Sequence, residues 1–139
     1  MPRIIAIDYG SKRVGLAVTD NLKIIATALE TVHSKDVLDF LEKYIQKEEV
    51  ETFVVGMPKN LDGEDTNNTQ LVEIFVKSLK KKFPDIPVQL MDERFTSKIA
   101  LEAMIMSGSK KKDRNNKSGN IDKVSAVIIL QDYLSSISL

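Results

Sequence analysis

Apolar residues along the chain follow two spacings, one typical of buried strands and one typical of amphipathic helices. Apolar, β-branched runs predict strands at Arg3–Asp8, Arg13–Thr19, Ile24–Val32, Glu51–Gly56 and Val88–Met91. Recurrence every three or four residues predicts helices at Lys35–Lys47, Thr69–Phe83 and Ile121–Leu134, and one from Thr96 or Ser97 to near Gly108. We expect Ser34 to cap the first helix and Ser118 or Asn120 to cap the last.

The order of these elements predicts one α/β domain over residues 1–139. The first two strands flank the short segment Tyr9–Lys12 and therefore form an antiparallel hairpin. The later strands alternate with helices, as in parallel sheets. The expected fold is a mixed central sheet that opens with a hairpin and has helices packed on it.

Composition narrows the class of protein only slightly. Lysine plus arginine equals aspartate plus glutamate at 20 each, so net charge indicates no partner. The absence of cysteine excludes disulfides, zinc–thiolate sites and thiol nucleophiles. Asp8 interrupts the N-terminal apolar run, and no stretch approaches the roughly 18 apolar residues of a membrane span. We expect a cytoplasmic protein that does not bind membranes.

Three acids occupy positions that suggest a metal site. Asp8 and Glu93 each follow an apolar strand, and sites in open α/β sheets lie beyond the carboxyl ends of strands. Asp122 lies at the start of the last predicted helix, on the face that carries Ala126, Ile129 and Tyr133. Carboxylates that converge repel one another unless a cation intervenes, and hard oxygen ligands suit Mg²⁺ or Mn²⁺. Two such ions can support hydrolysis of a phosphodiester.

Each acid also has a purely structural explanation. Asp8 could begin a turn, since aspartate favours such positions. Glu93 could pair with Arg94 or with nearby lysines. Asp122 could complement the positive end of its helix. Spacing alone does not decide between these roles and a metal site.

Basic residues near the acids are candidates for binding nucleic acid. A stretch without apolar side chains, residues 109–119, leads into Asp122 and contains what we call the basic segment: Lys110, Lys111, Lys112, Arg114 and Lys117. Arg13 and Arg94 closely follow acids, and Lys12 is a weaker candidate. Either arginine could contact a phosphate or neutralise the acids.

The remaining polar and aromatic residues are weaker candidates for a functional role. Lys80, Lys81 and Lys82 fit a helix C-terminus, where cations are favourable in any case. His33 has no evident partner for triad chemistry. The few aromatic residues lie mostly at core spacing, so recognition by phosphate geometry and shape is expected rather than base stacking.

Five segments together resemble the YqgF/RuvX family. They are Asp8–Asp20 (DYGSKRVGLAVTD), Val54–Pro58 (VVGMP), Leu61–Gly63 (LDG), Asp92–Ser97 (DERFTS) and Ile121–Ala126 (IDKVSA). The resemblance spans almost the whole chain, with the segments in the family's order. It implies a ribonuclease-H-like fold related to the Holliday-junction resolvase RuvC. It also implies a nuclease that matures the 5′ end of pre-16S ribosomal RNA, in contact with pre-rRNA or a ribosomal particle. The family's three acidic positions fall on Asp8, Glu93 and Asp122.

Two positions depart from the family pattern. Asn67 and Asn68 stand where many relatives carry Pro-Arg, which removes one expected phosphate contact. Ser125 stands where relatives usually have alanine and where resolvase-like enzymes can carry a fourth carboxylate.

Other functions remain open from sequence. An actin-like ATP-binding protein shares the opening hairpin, but it needs two lobes, and this chain supplies one and lacks a P-loop. A DNA junction resolvase would act as a symmetric dimer. An RNA-binding assembly factor would need no catalysis. For the nuclease we expect a monomer or a weak homodimer.

Overall fold

The computed structural model describes residues 2–20, 25–57, 67–92 and 117–137. Its strands are β1 (Arg3–Tyr9), β2 (Arg13–Thr19), β3 (Ala26–His33), β4 (Val50–Met57) and β5 (Val88–Asp92). Its helices are α1 (Val37–Lys47), α2 (Asn67–Lys82) and α3 (Lys117–Ile137). The predicted types and order of these elements are confirmed. The helix predicted from Thr96 or Ser97 to Gly108 lies outside the described residues.

The strands form one five-stranded sheet of order β3-β2-β1-β4-β5. The predicted hairpin is confirmed, since β1 pairs with β2 antiparallel, and β2 pairs with β3 in the same way. β1 pairs with β4 and β4 with β5 in parallel. The sheet is therefore mixed, and the carboxyl ends of β1, β4 and β5 lie at the same edge.

The sheet is covered on both faces. Alternate residues of a strand point to opposite faces, and β1 shows this directly. Ile5 and Ile7 belong to a core formed with α1 and α2, whereas Ile4 and Ala6 belong to a second core formed with α3. We call these the α1–α2 face and the α3 face.

The β1–β2 turn explains why position 10 is a glycine. The Gly10 amide donates to the Arg13 carbonyl oxygen at 2.9 Å, which closes the turn. A Cβ atom on Gly10 would lie 2.7 Å from that same oxygen, closer than such contacts allow. A glycine at such a position can serve the turn itself or allow close approach of a ligand to the backbone. The turn alone already requires it.

Two predicted caps are wrong. Ser34 does not cap α1, which begins after Asp36 without a side-chain cap. Its hydroxyl instead donates to the Ser11 carbonyl oxygen at 2.8 Å. Ser118 and Asn120 do not cap α3, because both lie inside the helix. Apolar spacing placed the start of this helix at Ile121, whereas the backbone is helical from Lys117.

The apolar faces predicted for the helices are largely confirmed. Val37 and Leu41 of α1 are buried, as are Ala126 and Ile129 of α3. In α2 the buried set is Val72, Phe75, Val76 and Leu79. Leu71 has the same helical spacing, but it is exposed.

Candidate active site

Asp8 is the residue around which the candidate site is built. It lies next to the last residue of β1, at the edge where the parallel strands end. The residues two and four places earlier, Ala6 and Ile4, pack against α3, so strand alternation puts Asp8 on the α3 face. The Asp8 side chain is half-buried. A carboxylate there is reachable from solvent and held by a rigid strand.

Both neighbours of Asp8 in the sheet are glycines. Gly15 of β2 is its Cα partner. Ile7 pairs with Val55 of β4, so Gly56 is the residue beside Asp8 on the other side. Neither adds a side chain next to the carboxylate. The sequence analysis missed this pair, although glycine inside a strand pattern often marks close approach of a ligand or another backbone.

The second predicted acid, Glu93, lies outside the described residues. The strand that precedes it is described to its end, with Met57 paired to Asp92. Met91 packs against the core of the α3 face. Glu93 follows Asp92 directly in sequence, and its role stays a prediction.

The third acid, Asp122, lies within α3. This helix packs on the same face of the sheet that carries Asp8, through Ala126, Ile129, Leu130 and Leu134. Asp122 precedes Ala126 by about one helical turn and Ile129 by about two. The structure thus places α3 on the face of Asp8 and does not describe the Asp122 side chain.

The predicted basic residues fall into two groups. Lys12 and Arg13 are exposed in and beside the β1–β2 turn, close in sequence to Asp8. Arg94, Lys110, Lys111, Lys112 and Arg114 lie outside the described residues. Lys117 belongs to the first turn of α3, so the helix begins four residues before the start predicted at Ile121. Apolar spacing does not mark helical residues that are polar.

The β1–β2 turn is fixed to the start of α1. Besides the Ser34–Ser11 hydrogen bond, the Ser34 amide donates to the Lys12 carbonyl oxygen at 3.1 Å. His33 pairs with Arg13 across the strands, and its Nδ1 accepts the Lys35 amide at 3.0 Å. These contacts hold the backbone that carries Lys12 and Arg13 in one position relative to Asp8.

Ser125 is the polar residue of α3 buried most deeply among those described, at 1% exposure. Its hydroxyl oxygen has no hydrogen-bond partner in the described structure. It lies three residues after Asp122, nearly one helical turn. This position therefore carries a buried hydroxyl that lacks a partner among the described residues, and not a carboxylate.

We expect Ser125→Ala to raise the free energy of unfolding by about 1 kcal/mol, because a buried hydroxyl without a partner is costly and alanine favours helices. Thermal or denaturant unfolding measures this. Ser135→Ala is the control, since Ser135 is exposed on the same helix and reports helix propensity alone. A loss of stability in Ser125→Ala beyond that control would show that the hydroxyl makes a stabilising contact.

The donors available at this edge are suited to a hard cation. The candidate ligands are carboxylates, the chain has no cysteine, and its single histidine, His33, lies two strands away from β1. Oxygen donors of this kind suit Mg²⁺ or Mn²⁺ better than zinc or copper. Among the described side chains, no group of three potential ligands forms a metal site. Asp8 is the one member of the predicted triad whose side chain is described.

The fold class follows from the sheet order and from similarity to solved structures. A five-stranded sheet of order β3-β2-β1-β4-β5, with helices on both faces, is a ribonuclease-H-like fold. The structure of Thermus thermophilus RuvC in complex with a Holliday junction substrate superposes with a TM-score of 0.61 at 15% identity, covering 99% of this chain and 97% of that one. Fowlpox virus resolvase, solved with Holliday junction DNA, gives 0.58 at 14% identity and covers 99% of each chain. The protein therefore has the fold of these resolvases.

Sequence comparison identifies the family, which the fold alone does not. A family model described as "RuvX: Holliday junction resolvase" matches residues 2–136, and the chain belongs to this family. A Phocaeicola vulgatus protein is 54% identical over 136 residues, which cover 98% of this chain and 97% of the relative. A Bacteroides fragilis protein is 50% identical and covers 98% of each chain. Both carry the name "Putative pre-16S rRNA nuclease". The resemblance inferred from the five segments is confirmed.

Within residues 2–20, 25–57, 67–92 and 117–137, no helix is both long enough and apolar enough to cross a bilayer.

Proposed function

We propose that this protein is a metal-dependent nuclease that hydrolyses phosphodiester bonds in structured RNA. Asp8, Glu93 and Asp122 hold Mg²⁺ or Mn²⁺ at the edge where the parallel strands end. The observation that carries the proposal is the position of Asp8, half-buried between two glycines on the sheet face that α3 covers. Membership of the RuvX family supports the assignment.

The proposed substrate is the 5′ region of pre-16S ribosomal RNA, either free or in a ribosomal particle in the cytoplasm. Relatives at 50–54% identity over nearly the whole chain carry a name that specifies pre-16S rRNA. A monomer is sufficient for cleavage at a single site.

Different residues of the chain would bind the cation, leave space for the scissile phosphate and contact the flanking phosphates. The carboxylates of Asp8, Glu93 and Asp122 would hold the cation, which when bound would activate water and stabilise the leaving oxygen. Gly15 and Gly56 leave space beside Asp8 for a phosphate to approach. Lys12 and Arg13, exposed at the same edge, and the basic segment would hold flanking phosphates. Arg94 would do the same or neutralise the acids.

Cleavage assays on matched substrates test the proposal. We expect cut RNA from a pre-16S 5′-end fragment in the presence of Mg²⁺ or Mn²⁺ and none in the presence of chelator. Metal binding without RNA should be weak, because few carboxylates complete the shell without phosphate oxygens. Cleavage that persists in chelator would exclude the metal-dependent mechanism.

A second candidate is cleavage of four-way DNA junctions, which the family description and the fold both favour. The same assay distinguishes it, with a junction of matched length in place of the RNA. Resolution requires two symmetric cuts, and therefore a dimer. Paired cuts in the junction together with uncut RNA would replace the RNA proposal with this one.

A further inference from the structure

One exposed side of α1 combines aromatic and basic side chains. Phe40, Lys43, Tyr44 and Lys47 recur at three- and four-residue spacing and line one open depression of about 320 Å³. The rings of Phe40 and Tyr44 are nearly parallel, with an interplanar angle of 17° and centroids 6.4 Å apart. We call these four residues the α1 aromatic–basic face.

The two rings are fixed in place yet reachable. Both pack with part of their surface against the core of the α1–α2 face, and neither is fully buried. A ring held by the core loses little conformational entropy when a ligand stacks on it. The rings are therefore a preformed platform for a planar group.

Charge around the platform favours an anion. Within the described ranges Lys43 and Lys47 form no ion pair, and both are exposed. Two neighbouring acids are neutralised by other residues. Glu42 pairs with Lys82 at 3.0 Å, and Glu48 pairs with Arg3 at 3.2 Å.

Two further features define which ligands fit. The Tyr44 phenol is uncharged near neutral pH, since a tyrosine pKa is ordinarily about 10, and so its ring does not repel phosphate. Burial raises this pKa further, with Arg3 opposing and Glu48 adding to the effect. The adjoining depression is lined by Asp36 and Asp39 together with Val32, His33, Phe40 and Lys43. Those carboxylates disfavour phosphate, so a bound strand would keep its backbone on the Lys43–Lys47 side.

The α1 aromatic–basic face lies on a continuous path from the proposed active site. The turn before α1 is hydrogen-bonded to the β1–β2 turn through Ser34, so α1 begins at the edge that carries Asp8. β3, which leads into α1, is two strands from β1, or about 10 Å. A nucleic acid strand that leaves Asp8 past Lys12 and Arg13 reaches this face next.

We infer that the α1 aromatic–basic face binds single-stranded RNA flanking the scissile bond, with bases stacked on Phe40 and Tyr44 and phosphates on Lys43 and Lys47. The inference rests on the proposed function and specifies its substrate. A duplex keeps its bases stacked internally and cannot offer them to the rings. The enzyme would thus require an unpaired flank beside its cleavage site. From the sequence we expected no base stacking, because the few aromatic residues lie mostly at core spacing.

Binding is measured by fluorescence anisotropy in chelator, so that no cleavage occurs, with oligouridylate and with a blunt RNA duplex of similar charge. The double variant Phe40→Leu/Tyr44→Leu keeps apolar packing and removes the rings. We expect it to bind oligouridylate about tenfold more weakly and the duplex as wild type does. Lys43→Gln/Lys47→Gln leaves the packed residues untouched. It should weaken oligouridylate binding and flatten its logarithmic salt slope by up to about 1.4.

Lys77→Gln/Lys80→Gln is the matched control, because it removes the same charge from the groove between α2 and β5. Its oligouridylate affinity should equal that of wild type. Wild-type affinity in the leucine variant, or no oligouridylate binding by the wild type, overturns the inference.

Cleavage of a pre-16S fragment in Mg²⁺ separates the two proposals. If wild type and the leucine variant bind and cut the RNA equally, RNA binding by the α1 aromatic–basic face is excluded and the nuclease proposal is supported. If binding depends on the rings but no cleavage follows, RNA binding by this face is supported and the nuclease proposal is excluded.

Discussion

Asp8→Asn is expected to abolish RNA cleavage while the protein stays folded. The substitution keeps the size of the side chain and removes the negative charge that a metal ligand requires. Loss of even an outer-shell partner of a metal ligand costs about 10- to 100-fold in activity. A direct ligand should cost more, so we expect the cleavage rate to fall by more than about 100-fold. Single-turnover cleavage with saturating Mg²⁺ measures it.

The fold should tolerate the change. Asp8 lies at the end of its strand, beyond the buried positions Ile4 to Ile7, and no apolar contact is lost. Removing one of the three carboxylates that are proposed to share a cation reduces the repulsion among them when no metal is bound. The melting temperature without metal should therefore be equal to or higher than that of wild type.

Asp132→Asn is the matched control, since Asp132 is exposed on α3 and the same charge is removed. It should cleave at the wild-type rate. Cleavage by purified Asp8→Asn at the wild-type rate, with contaminating nuclease excluded, would remove Asp8 from the mechanism.

Strands and packed faces could be predicted from the sequence because they depend on local pattern. The run Arg3–Asp8 is apolar and β-branched, and the strand found is Arg3–Tyr9. Asp8 was identified because it ends this run. Its glycine neighbours Gly15 and Gly56 could not be identified in the same way, since their positions beside Asp8 depend on the register of β2 and β4.

Errors arose where tertiary contacts override local preference. Ser34 is a good capping residue, but its hydroxyl binds the Ser11 carbonyl of a distant turn. Residues 117–120 include a glycine and an asparagine and suggest a loop, yet they belong to α3. The spacing of Phe40 and Tyr44 fits a core, and both do contact it, but exposure of one side of each ring is visible only in three dimensions.

Features that depend on tertiary contacts affect the proposed choice of substrate. The three acids could be predicted from the ends of strands and the start of a helix, whereas the surfaces that would select a substrate depend on contacts between turns and helices. The Ser34 contacts link the β1–β2 turn to α1, and so link Lys12 and Arg13 to the α1 aromatic–basic face. Substrate choice is therefore expected to depend on residues outside the acidic site.

The basic segment is expected to supply much of the affinity for nucleic acid by electrostatics. Each phosphate contact releases condensed counterions, so log affinity falls with log salt by about 0.7 per contact on single strands and about 0.9 on duplex DNA. Replacing Lys110, Lys111 and Lys112 by alanine should weaken binding and flatten this slope by about two to three units at most. The loss should be similar for different sequences, because phosphate contacts position a ligand without reading its bases.

The measurement compares wild type with the triple variant on a structured RNA and on a four-way DNA junction, at several salt concentrations. Lys77, Lys80 and Lys81 supply the matched control, since they are exposed on α2 and their replacement by alanine removes the same charge. The ion pair between Lys82 and Glu42 stays intact beside the α1 aromatic–basic face, so this control should keep nearly the wild-type salt slope. An ATP-binding protein would instead bind nucleotide and show little effect of the segment on nucleic acid. Equal affinities and parallel slopes for wild type and the triple variant would remove the basic segment from the binding surface, and phosphate binding would then depend on Lys12, Arg13 and the α1 aromatic–basic face.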